Sequence, residues 1–219
     1  MTNAEMALDF VVDGAVLGLG SGRAAEAFVR TLGTRVRAGL RVRGIPTSQA
    51  TAKLAVEVGI PLTALDDAAA IDVTVDGADE VDPQLNLIKG YGGALVREKI
   101  VAAASRRLVI LVGTEKLVQA LGARGILPVE VVPFGTAPCS RQLVAMGYPP
   151  TLRMRDSRPF VTDNGNHILD CTVTTIRDPL HLERDLRSLP GVVGTGLFIG
   201  MADVVLIQDG DSVQVRQRN

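Results

Sequence analysis

The sequence has few of the side chains that carry most metal, redox and stacking chemistry. Its 219 residues include two histidines, two cysteines, no tryptophan and 3% aromatic residues. Cys139 and Cys171 alone cannot build a disulfide scaffold, and we interpret them as reduced thiols. The few aromatics offer no platform for stacking bases, and a net charge of −1 gives no basic surface for nucleic acid. If the protein is an enzyme, carboxylates and its four lysines must carry most of the proton chemistry.

Membrane and export signals are also lacking. No apolar run approaches the roughly 18 residues of a membrane-spanning helix. The segment MTNAEMALDF lacks the basic region and apolar stretch of a signal peptide. We therefore expect a cytoplasmic protein that binds neither membranes nor nucleic acid. His167 and His181 are isolated from other metal-binding side chains, so we expect no metal ion.

Short apolar runs and amphipathic segments alternate through the first half of the chain. The pattern predicts strands near 15–20, 41–45, 61–65, 71–75 and 108–112, and helices over 4–12, 24–32, 49–58 and 94–104. This alternation indicates an α/β fold with a parallel sheet covered by helices on both faces.

The pattern changes near residue 124. Strands are predicted at 127–132, 149–155, 160–162 and 167–174, helices at 140–146 and 179–189, and a turn at Asn164-Gly165. We predict a smaller α+β domain over 126–199 and a first domain formed by 1–125 together with 200–219. The strand-like segments 197–199 and 204–207 could return to the first sheet.

The first candidate motif is Gly18-Leu19-Gly20-Ser21-Gly22-Arg23, between a predicted strand and helix. Such a turn directs backbone N–H groups and a positive helix end at an anion, usually a phosphate. Ser21 could add a hydroxyl donor and Arg23 a charged one. The motif is neither a dinucleotide fingerprint nor a P-loop, because Arg23 replaces the third glycine and no Gly-Lys-Ser/Thr follows. A tight turn without a ligand explains it equally well.

The second motif is Asp76-Gly77-Ala78-Asp79-Glu80-Val81-Asp82, directly after a predicted strand. Acids at the carboxyl end of a parallel strand lie where such sheets collect ligands. Repulsion or burial could raise the pKa of one carboxyl towards acid–base use. The alternative is a solvated acidic turn. A calcium loop does not fit, because its regular alternation and distal Glu are missing.

The third motif extends from Asn86 to Ile100. The loop Gly90-Tyr91-Gly92-Gly93 contains three glycines, follows Lys89 and precedes a predicted helix. It is therefore a second possible anion-binding loop. Glu98 lies one helical turn from apolar neighbours, so partial burial would raise its pKa and suit it as a general base. The alternative is that Arg97-Glu98-Lys99 is an ordinary solvated face.

Together these segments resemble ribose-5-phosphate isomerase of the A type over nearly the whole chain. The most specific likeness is Asp76-Gly77-Ala78-Asp79-Glu80, followed by Leu87-Ile88-Lys89-Gly90 and Arg97-Glu98-Lys99-Ile100. The resemblance implies a Rossmann-like catalytic domain with a smaller, ferredoxin-like α+β domain inserted near the C-terminus. It also implies a homo-oligomer, often a dimer.

The same resemblance implies interconversion of D-ribose 5-phosphate and D-ribulose 5-phosphate through an enediolate, as in the pentose phosphate pathway, with no metal or organic cofactor. It assigns the proton-transferring base to Glu98 and further catalytic contacts to Asp76, Asp79 and Lys89. The residues it assigns to substrate binding are Ser21, Gly22, Arg23, Ala24, Gly77, Ala78, Gly90, Tyr91, Gly92 and Lys116.

The phosphate turn departs from the family pattern. The usual Gly-Thr-Gly-Ser-Thr reads Gly20-Ser21-Gly22-Arg23-Ala24, so two hydroxyl donors are replaced. A lysine common near the family's N-terminus is also missing, since the first lysine here is Lys53. Our hypothesis is that Arg23 replaces these groups as a phosphate ligand, because a guanidinium donates two parallel bonds.

Two further departures affect the other loops. Tyr91 stands where the family usually has glycine, and it would cost ~1–2 kcal/mol if that position needs a positive φ. Gly113-Thr114-Glu115 precedes Lys116 in place of the usual Asp-Glu-Ser.

Two other function classes are weighed against an isomerase. A catalytically silent sugar-phosphate sensor would keep the pocket but would not need the intact set of Asp76, Asp79, Lys89 and Glu98. A nicotinamide-dependent dehydrogenase is disfavoured by Arg23 and by the lack of a ribose-binding acid after the second strand.

Overall fold

The computed structural model describes residues 1–218 and divides into two compact units. Unit 1 consists of Met1–Ala78, Arg97–Lys116 and the chain from Gly200 onward. Unit 2 consists of Asp79–Val96 and Leu117–Ile199. Within residues 1–218, every helix is too short or too polar to span a bilayer.

Strands and helices are numbered in chain order. The strands are β1 (Val16–Leu19), β2 (Arg43–Pro46), β3 (Val73–Gly77), β4 (Glu80–Val81), β5 (Leu87–Ile88), β6 (Leu108–Gly113), β7 (Ile126–Val131), β8 (Pro150–Leu152), β9 (Met154–Arg155), β10 (Arg158–Pro159), β11 (His167–Thr172), β12 (Val192–Thr195), β13 (Leu197–Phe198), β14 (Val204–Asp209) and β15 (Ser212–Gln217). The α-helices are α1 (Asn3–Met6), α2 (Arg23–Arg37), α3 (Gln49–Glu57), α4 (Leu95–Ala103), α5 (Thr136–Ala145) and α6 (Pro179–Arg187).

Unit 1 is built on a six-stranded sheet in the order β15-β14-β6-β3-β1-β2. The five strands from β14 to β2 pair in parallel, and only β15 pairs antiparallel, with β14. The central strands are continuous apolar runs buried on both faces, as parallel sheets require. The predicted α/β fold with a central parallel sheet is therefore confirmed.

Helix α2 covers one face of this sheet. Phe28, Val29 and Leu32 recur at helical spacing and are fully buried in the main core cluster. Gly33 allows close contact with α3, because a Cβ there would lie 2.6 Å from the Cβ of Val58. Arginines in the last turn of α2 complement the negative end of its dipole.

Unit 2 contains a four-stranded antiparallel sheet in the order β12-β7-β11-β8 and a three-stranded sheet in the order β13-β5-β4. Helices α5 and α6 contribute Leu143, Leu182 and Leu186 to a core shared with β7 and β11. Strands β9 and β10 form a tight hairpin whose turn, Asp156-Ser157, adopts positive φ at both residues.

A buried carboxylate fixes the turn predicted at Asn164-Gly165. Glu130 is fully buried, and its Oε1 accepts hydrogen bonds from Thr162 Oγ1 at 3.0 Å, Asn164 Nδ2 at 3.1 Å and Asn166 Nδ2 at 2.9 Å. The Asp163-Asn164-Gly165 turn is thereby held against β7. This segment is part of the scaffold of unit 2.

Three predicted strand assignments are wrong. Residues 61–65 form only an isolated bridge from Leu62 to Gly44, and residues 160–162 lie outside any strand. Leu197–Phe198 pairs with β5, whereas Val204–Asp209 does return to the first sheet.

The compact units also differ from the predicted domain limits. Residues 79–96 and 117–125 group with unit 2, since β4 and β5 pair with β13.

Candidate active site

The Gly-rich turn between β1 and α2 is held by a buried carboxylate. Ser21 donates its backbone N–H to Asp76 Oδ1 at 3.1 Å, and Gly20 donates to the carbonyl of Val75 at 3.0 Å. A Cβ at Gly20 would lie 2.3 Å from both Cγ and Oδ1 of Asp76. Glycine is therefore required at position 20 for the turn to approach β3 this closely.

The N-terminus of α2 lacks a side-chain cap. Gly22 is the N-cap residue, has a φ of 85°, and leaves the first N–H groups of the helix without a side-chain partner. Arg23 begins the helix and is exposed, and within residues 1–218 its guanidinium makes no hydrogen bond or ion pair. Ala24 packs beside Gly77. Free N–H groups, the helix dipole and a guanidinium make this end of α2 suited to an anion.

The hydroxyl of Ser21 does not point freely from the turn. It donates to Ser48 Oγ at 2.8 Å and also lies 2.8 Å from Thr47 Oγ1. Ser48 in turn donates to Thr51 Oγ1, which donates to the carbonyl of Gly20 at 2.9 Å. In this structure the hydroxyl predicted to bind an anion is instead part of a chain of hydroxyls that fixes the turn.

The four acids of the second motif take different positions. Asp76 is 1% exposed and its Oδ1 also accepts the N–H of Gly77 at 2.7 Å, so it is not part of a solvated turn. Glu80 is fully buried and accepts the N–H groups of Gly122 and Arg124, both at 2.6 Å. Asp82 accepts two backbone N–H groups of its own turn. Glu80 and Asp82 are therefore scaffold residues, whereas Asp79 is only half-buried.

Glu98 lies in the first turn of α4 and is 5% exposed. Its helix is anchored through Val101, which packs in a cluster with Val16 and Ile71. Gly18 permits this contact, because a Cβ there would lie 2.6 Å from Val101 Cγ1. The burial excludes an ordinary solvated face for Glu98.

Lys89 is a buried cation at the end of β5. It is 3% exposed, and its backbone N–H donates to the carbonyl of Gly196 at 2.9 Å. Its Nζ lies 5.6 Å from the centroid of the Phe198 ring, a cation–π distance. The pairing of β5 with β13 therefore holds both the backbone and the charge of Lys89.

The loop after Lys89 makes a direct contact with Asp79. The backbone N–H of Tyr91 donates to Asp79 Oδ2 at 3.0 Å. The positive φ angles of this loop belong to Gly90, at 110°, and Gly93, at 90°. Tyr91 is not in the left-handed region, so the strain considered for it does not arise. Its phenol donates to the carbonyl of Ile126, and burial raises its pKa to about 12.

Lys116 ends a short 3-10 helix, Thr114–Lys116, directly after β6. It is half-buried, and it belongs to unit 1 together with Ala78 and the Gly-rich turn. Gly92 is exposed in unit 2.

Comparisons with known proteins identify the family. The model of the family described as ribose 5-phosphate isomerase A (phosphoriboisomerase A) matches residues 43–212. The ribose-5-phosphate isomerase A of Thermomicrobium roseum is 51% identical over 218 residues, covering 99% of this chain and 92% of the relative. That of Gloeobacter violaceus is 50% identical over 215 residues, covering 98% and 94%. This chain belongs to the ribose 5-phosphate isomerase A family.

Solved structures of ribose 5-phosphate isomerases have the same fold. The enzyme from Methanocaldococcus jannaschii superposes with a TM-score of 0.94 at 40% identity, covering 99% of this chain and 96% of that one. A D-ribose-5-phosphate isomerase in complex with phospho-erythronic acid superposes with a TM-score of 0.96, also at 40% identity and with the same coverage.

Among residues 1–218 there is no group of three or more His, Cys, Asp or Glu side chains placed to hold a metal ion. A cleft of about 490 Å³ in unit 2 is bordered by residues such as Tyr148, Arg177 and His181. None of the residues assigned from the resemblance to ribose 5-phosphate isomerase A lines that cleft.

Sequence reasoning missed two groups that support the predicted residues. One is the hydroxyl set of Thr47, Ser48 and Thr51, although hydroxyls directly after a parallel strand were a usable signal. The other is Arg153, whose Nη1 donates to the carbonyl of Gly90 at 2.8 Å. Arg153 lies between β8 and β9, 63 residues from Gly90 in the chain, so no local pattern indicates the contact.

Proposed function

We propose that this protein interconverts D-ribose 5-phosphate and D-ribulose 5-phosphate through an enediolate, with Glu98 as the base. The observation that carries the proposal is the burial of Glu98, at 5% exposure, in a chain of this family. A carboxylate removed from water is suited to take the proton from C2 of the open-chain aldose and return it to C1. The proton of the C2 hydroxyl passes to the oxygen on C1, which leaves the ketone at C2, so no redox cofactor is needed.

Charge develops on the sugar oxygens as the enediolate forms. We propose that Lys89 stabilises this oxyanion, since a buried ammonium acts strongly where water is excluded. Asp76 and Asp79 would open the sugar ring and move protons between its oxygens. Gly77, Ala78, Gly90, Tyr91 and Gly92 would line the sugar through their backbone.

We propose that the phosphate binds at the N-terminus of α2, over residues 21–24. The uncapped N–H groups and the guanidinium of Arg23 supply donors and positive charge there. Ser21 would position this turn, because its N–H donates to Asp76 and its hydroxyl donates to Ser48. Lys116 would add a second cation.

The experiment is a coupled assay of ketose formation from ribose 5-phosphate, with and without EDTA. We expect equal activity under both conditions. Glu98→Gln should abolish isomerisation while the protein still folds and still binds inorganic phosphate. Activity near that of the parent would remove Glu98 from its role, and loss of activity in EDTA would contradict a metal-independent reaction.

We also propose that the protein is a cytoplasmic homo-oligomer, most simply a dimer, acting within the pentose phosphate pathway. Phe134 supports an interface between copies, because its side chain is 98% exposed. A second copy of the chain that covered this ring would remove its apolar surface from water, which favours association. Sedimentation velocity should give a mass of at least two chains, and Phe134→Asp should reduce it. A monomer at micromolar concentration would contradict the proposal.

A further inference from the structure

One peptide group in unit 2 lies between a partly buried arginine and a carboxylate. The carbonyl oxygen of Gly90 accepts a hydrogen bond from Arg153 Nη1 at 2.8 Å. The N–H of that same peptide group, which belongs to Tyr91, donates to Asp79 Oδ2 at 3.0 Å. The positive charge and the carboxylate are therefore joined through a single amide.

Arg153 is held firmly in this position. Its Nε donates to Asp170 Oδ2 at 2.8 Å and its Nη2 to the other oxygen of the same carboxylate, a two-bond geometry that fixes the guanidinium plane. The side chains of Arg153 and Asp170 are 15% and 22% exposed, respectively. Arg153 Nη1 also donates to the carbonyl of Tyr91 at 3.2 Å, so it contacts two successive carbonyls of the loop.

The loop cannot easily take another position. Gly93 packs on the Phe160 ring, where a Cβ would lie 2.6 Å from two ring carbons. Asp79 is fixed from its own backbone, since its N–H donates to the carbonyl of Ile88 at 2.8 Å. The backbone of Asp79 and the amide that meets its carboxylate are thus both held in place.

A guanidinium on the carbonyl side of an amide draws electron density towards the oxygen. This makes the N–H on the other side a stronger donor, because hydrogen bonds linked in a chain polarise one another. The bond from Tyr91 to Asp79 should therefore weaken when the guanidinium is removed, even though Arg153 does not touch Asp79.

We propose that Arg153 is a positioning residue for the isomerisation, acting through the Gly90–Tyr91 peptide group to hold the Asp79 carboxylate in the orientation that meets the sugar. The inference rests on the proposed function, in which Asp79 contacts the sugar. Asp170 supports Arg153 in turn. Nothing in this arrangement involves the phosphate-binding end of α2.

The test is a double-mutant cycle with Arg153→Gln, Asp79→Asn and the combination. Arg153→Gln alone should lower kcat about tenfold, since a hydrogen bond to a charged group is lost. The inhibition constant of inorganic phosphate should stay within twofold, because the phosphate site is untouched. In the Asp79→Asn background, Arg153→Gln should change kcat and the affinity for phospho-erythronic acid by less than twofold.

Arg155→Gln is the matched control. Arg155 lies two residues away and stacks on the Phe160 ring at 4.4 Å from its centroid, and it makes no hydrogen bond to the loop. We expect parental kcat for it. Arg153→Lys keeps the positive charge but not the planar guanidinium with its several N–H donors. It should therefore recover only part of the lost activity.

Two outcomes would overturn the inference. One is an equal loss of kcat when Arg153→Gln is made in the parent and in Asp79→Asn. The other is an equal weakening of phosphate and sugar binding by Arg153→Gln. Failure of the proposed function is distinguishable, because it would appear as absence of isomerase activity in the parent protein.

Discussion

The Oδ1 atom of Asp76 accepts the backbone N–H of Ser21 at 3.1 Å, so an acid at the end of β3 holds the turn at the end of β1. These strands are direct parallel neighbours, with Leu19 in register with Val75. The residue proposed to act on the sugar thus also shapes the turn proposed to bind the phosphate. Substitutions that displace this contact should affect both binding and chemistry.

Gly20→Ala should disable the enzyme through this contact. The added methyl group would lie 2.3 Å from Asp76 Cγ and 2.6 Å from its Cα, so the backbone must move. A shift of about 1 Å can lower kcat by about 100-fold, and we expect an accompanying loss of ~1–3 kcal/mol in unfolding free energy. Steady-state kinetics and urea unfolding measure the two effects.

Gly135→Ala is the control for that substitution, because a Cβ there would meet its nearest neighbour at an ordinary 3.5 Å. It should leave kcat unchanged. Parental kcat in Gly20→Ala would show that the turn tolerates displacement from Asp76.

Arg23→Ala should weaken phosphate binding more than chemistry. The guanidinium stands at the exposed N-terminus of α2 and has no partner within residues 1–218. We expect KM for ribose 5-phosphate to rise about 10-fold, the scale of one charged hydrogen bond, with kcat changed less than twofold. The effect should shrink at high salt.

Arg35→Ala serves as its control, since Arg35 lies in the last turn of the same helix, about 18 Å away at 1.5 Å per residue. It should leave KM unchanged. An unchanged KM in Arg23→Ala would refute the hypothesis that Arg23 replaces the family's missing phosphate ligands.

Thr51→Val tests whether the hydroxyl chain holds the turn. Valine keeps the shape of the buried threonine but removes the donor to the Gly20 carbonyl and the acceptor for Ser48. We expect a loss of ~1–2 kcal/mol in unfolding free energy, because buried polar groups lose partners, together with a raised KM. Thr31→Val, which removes one bond on α2 to the carbonyl of Ala27, should leave KM at the parental value. Equal KM values for the two variants would show that the chain of hydroxyl groups does not hold the turn.

Features that depend on residues close together in the chain can be predicted from this sequence. Features that depend on contacts between distant residues cannot. Strand and helix periodicity is local, and it located β1, β6, α4 and the start of α2 closely, whereas α2 continues past the predicted end at residue 32 to Arg37. Pairing partners are not local. Leu197–Phe198 is strand-like in sequence, but only the folded chain shows that it pairs with β5 and holds Lys89.

The same distinction applies to the candidate site. Both acids are buried, Glu98 within the predicted helix and Asp76 inside β3 rather than after the strand as predicted. The orientation of the Ser21 hydroxyl could not be predicted, because its partners lie at least 26 residues away on another element. Arg153 was unpredictable for the same reason, since its contact with Gly90 depends on a strand pairing in unit 2.

Cys171 should be unreactive in the folded protein. Its thiol is fully buried, and desolvation, aided by the charge of Asp170, raises its pKa from the ordinary value near 9 to about 12. Iodoacetamide at pH 9 should therefore leave Cys171 unlabelled in the native state and label it after unfolding in urea, as read by peptide mass spectrometry. Native labelling within minutes would contradict the burial.

The raised pKa values of Cys171 and Tyr91 predict a loss of stability at alkaline pH. Cys171 and Tyr91 both keep their protons up to about pH 12 when folded, whereas the unfolded groups ionise near 9 and 10. Since the unfolded chain then binds fewer protons, the free energy of unfolding should fall as pH rises from about 9 to 12. Urea unfolding at steps between pH 7 and 11 measures this, with Cys171→Ala and Tyr91→Phe as the paired variants. Each substitution should flatten the decline relative to the parent, and a slope equal to the parent's in both variants would show that these two groups do not control it.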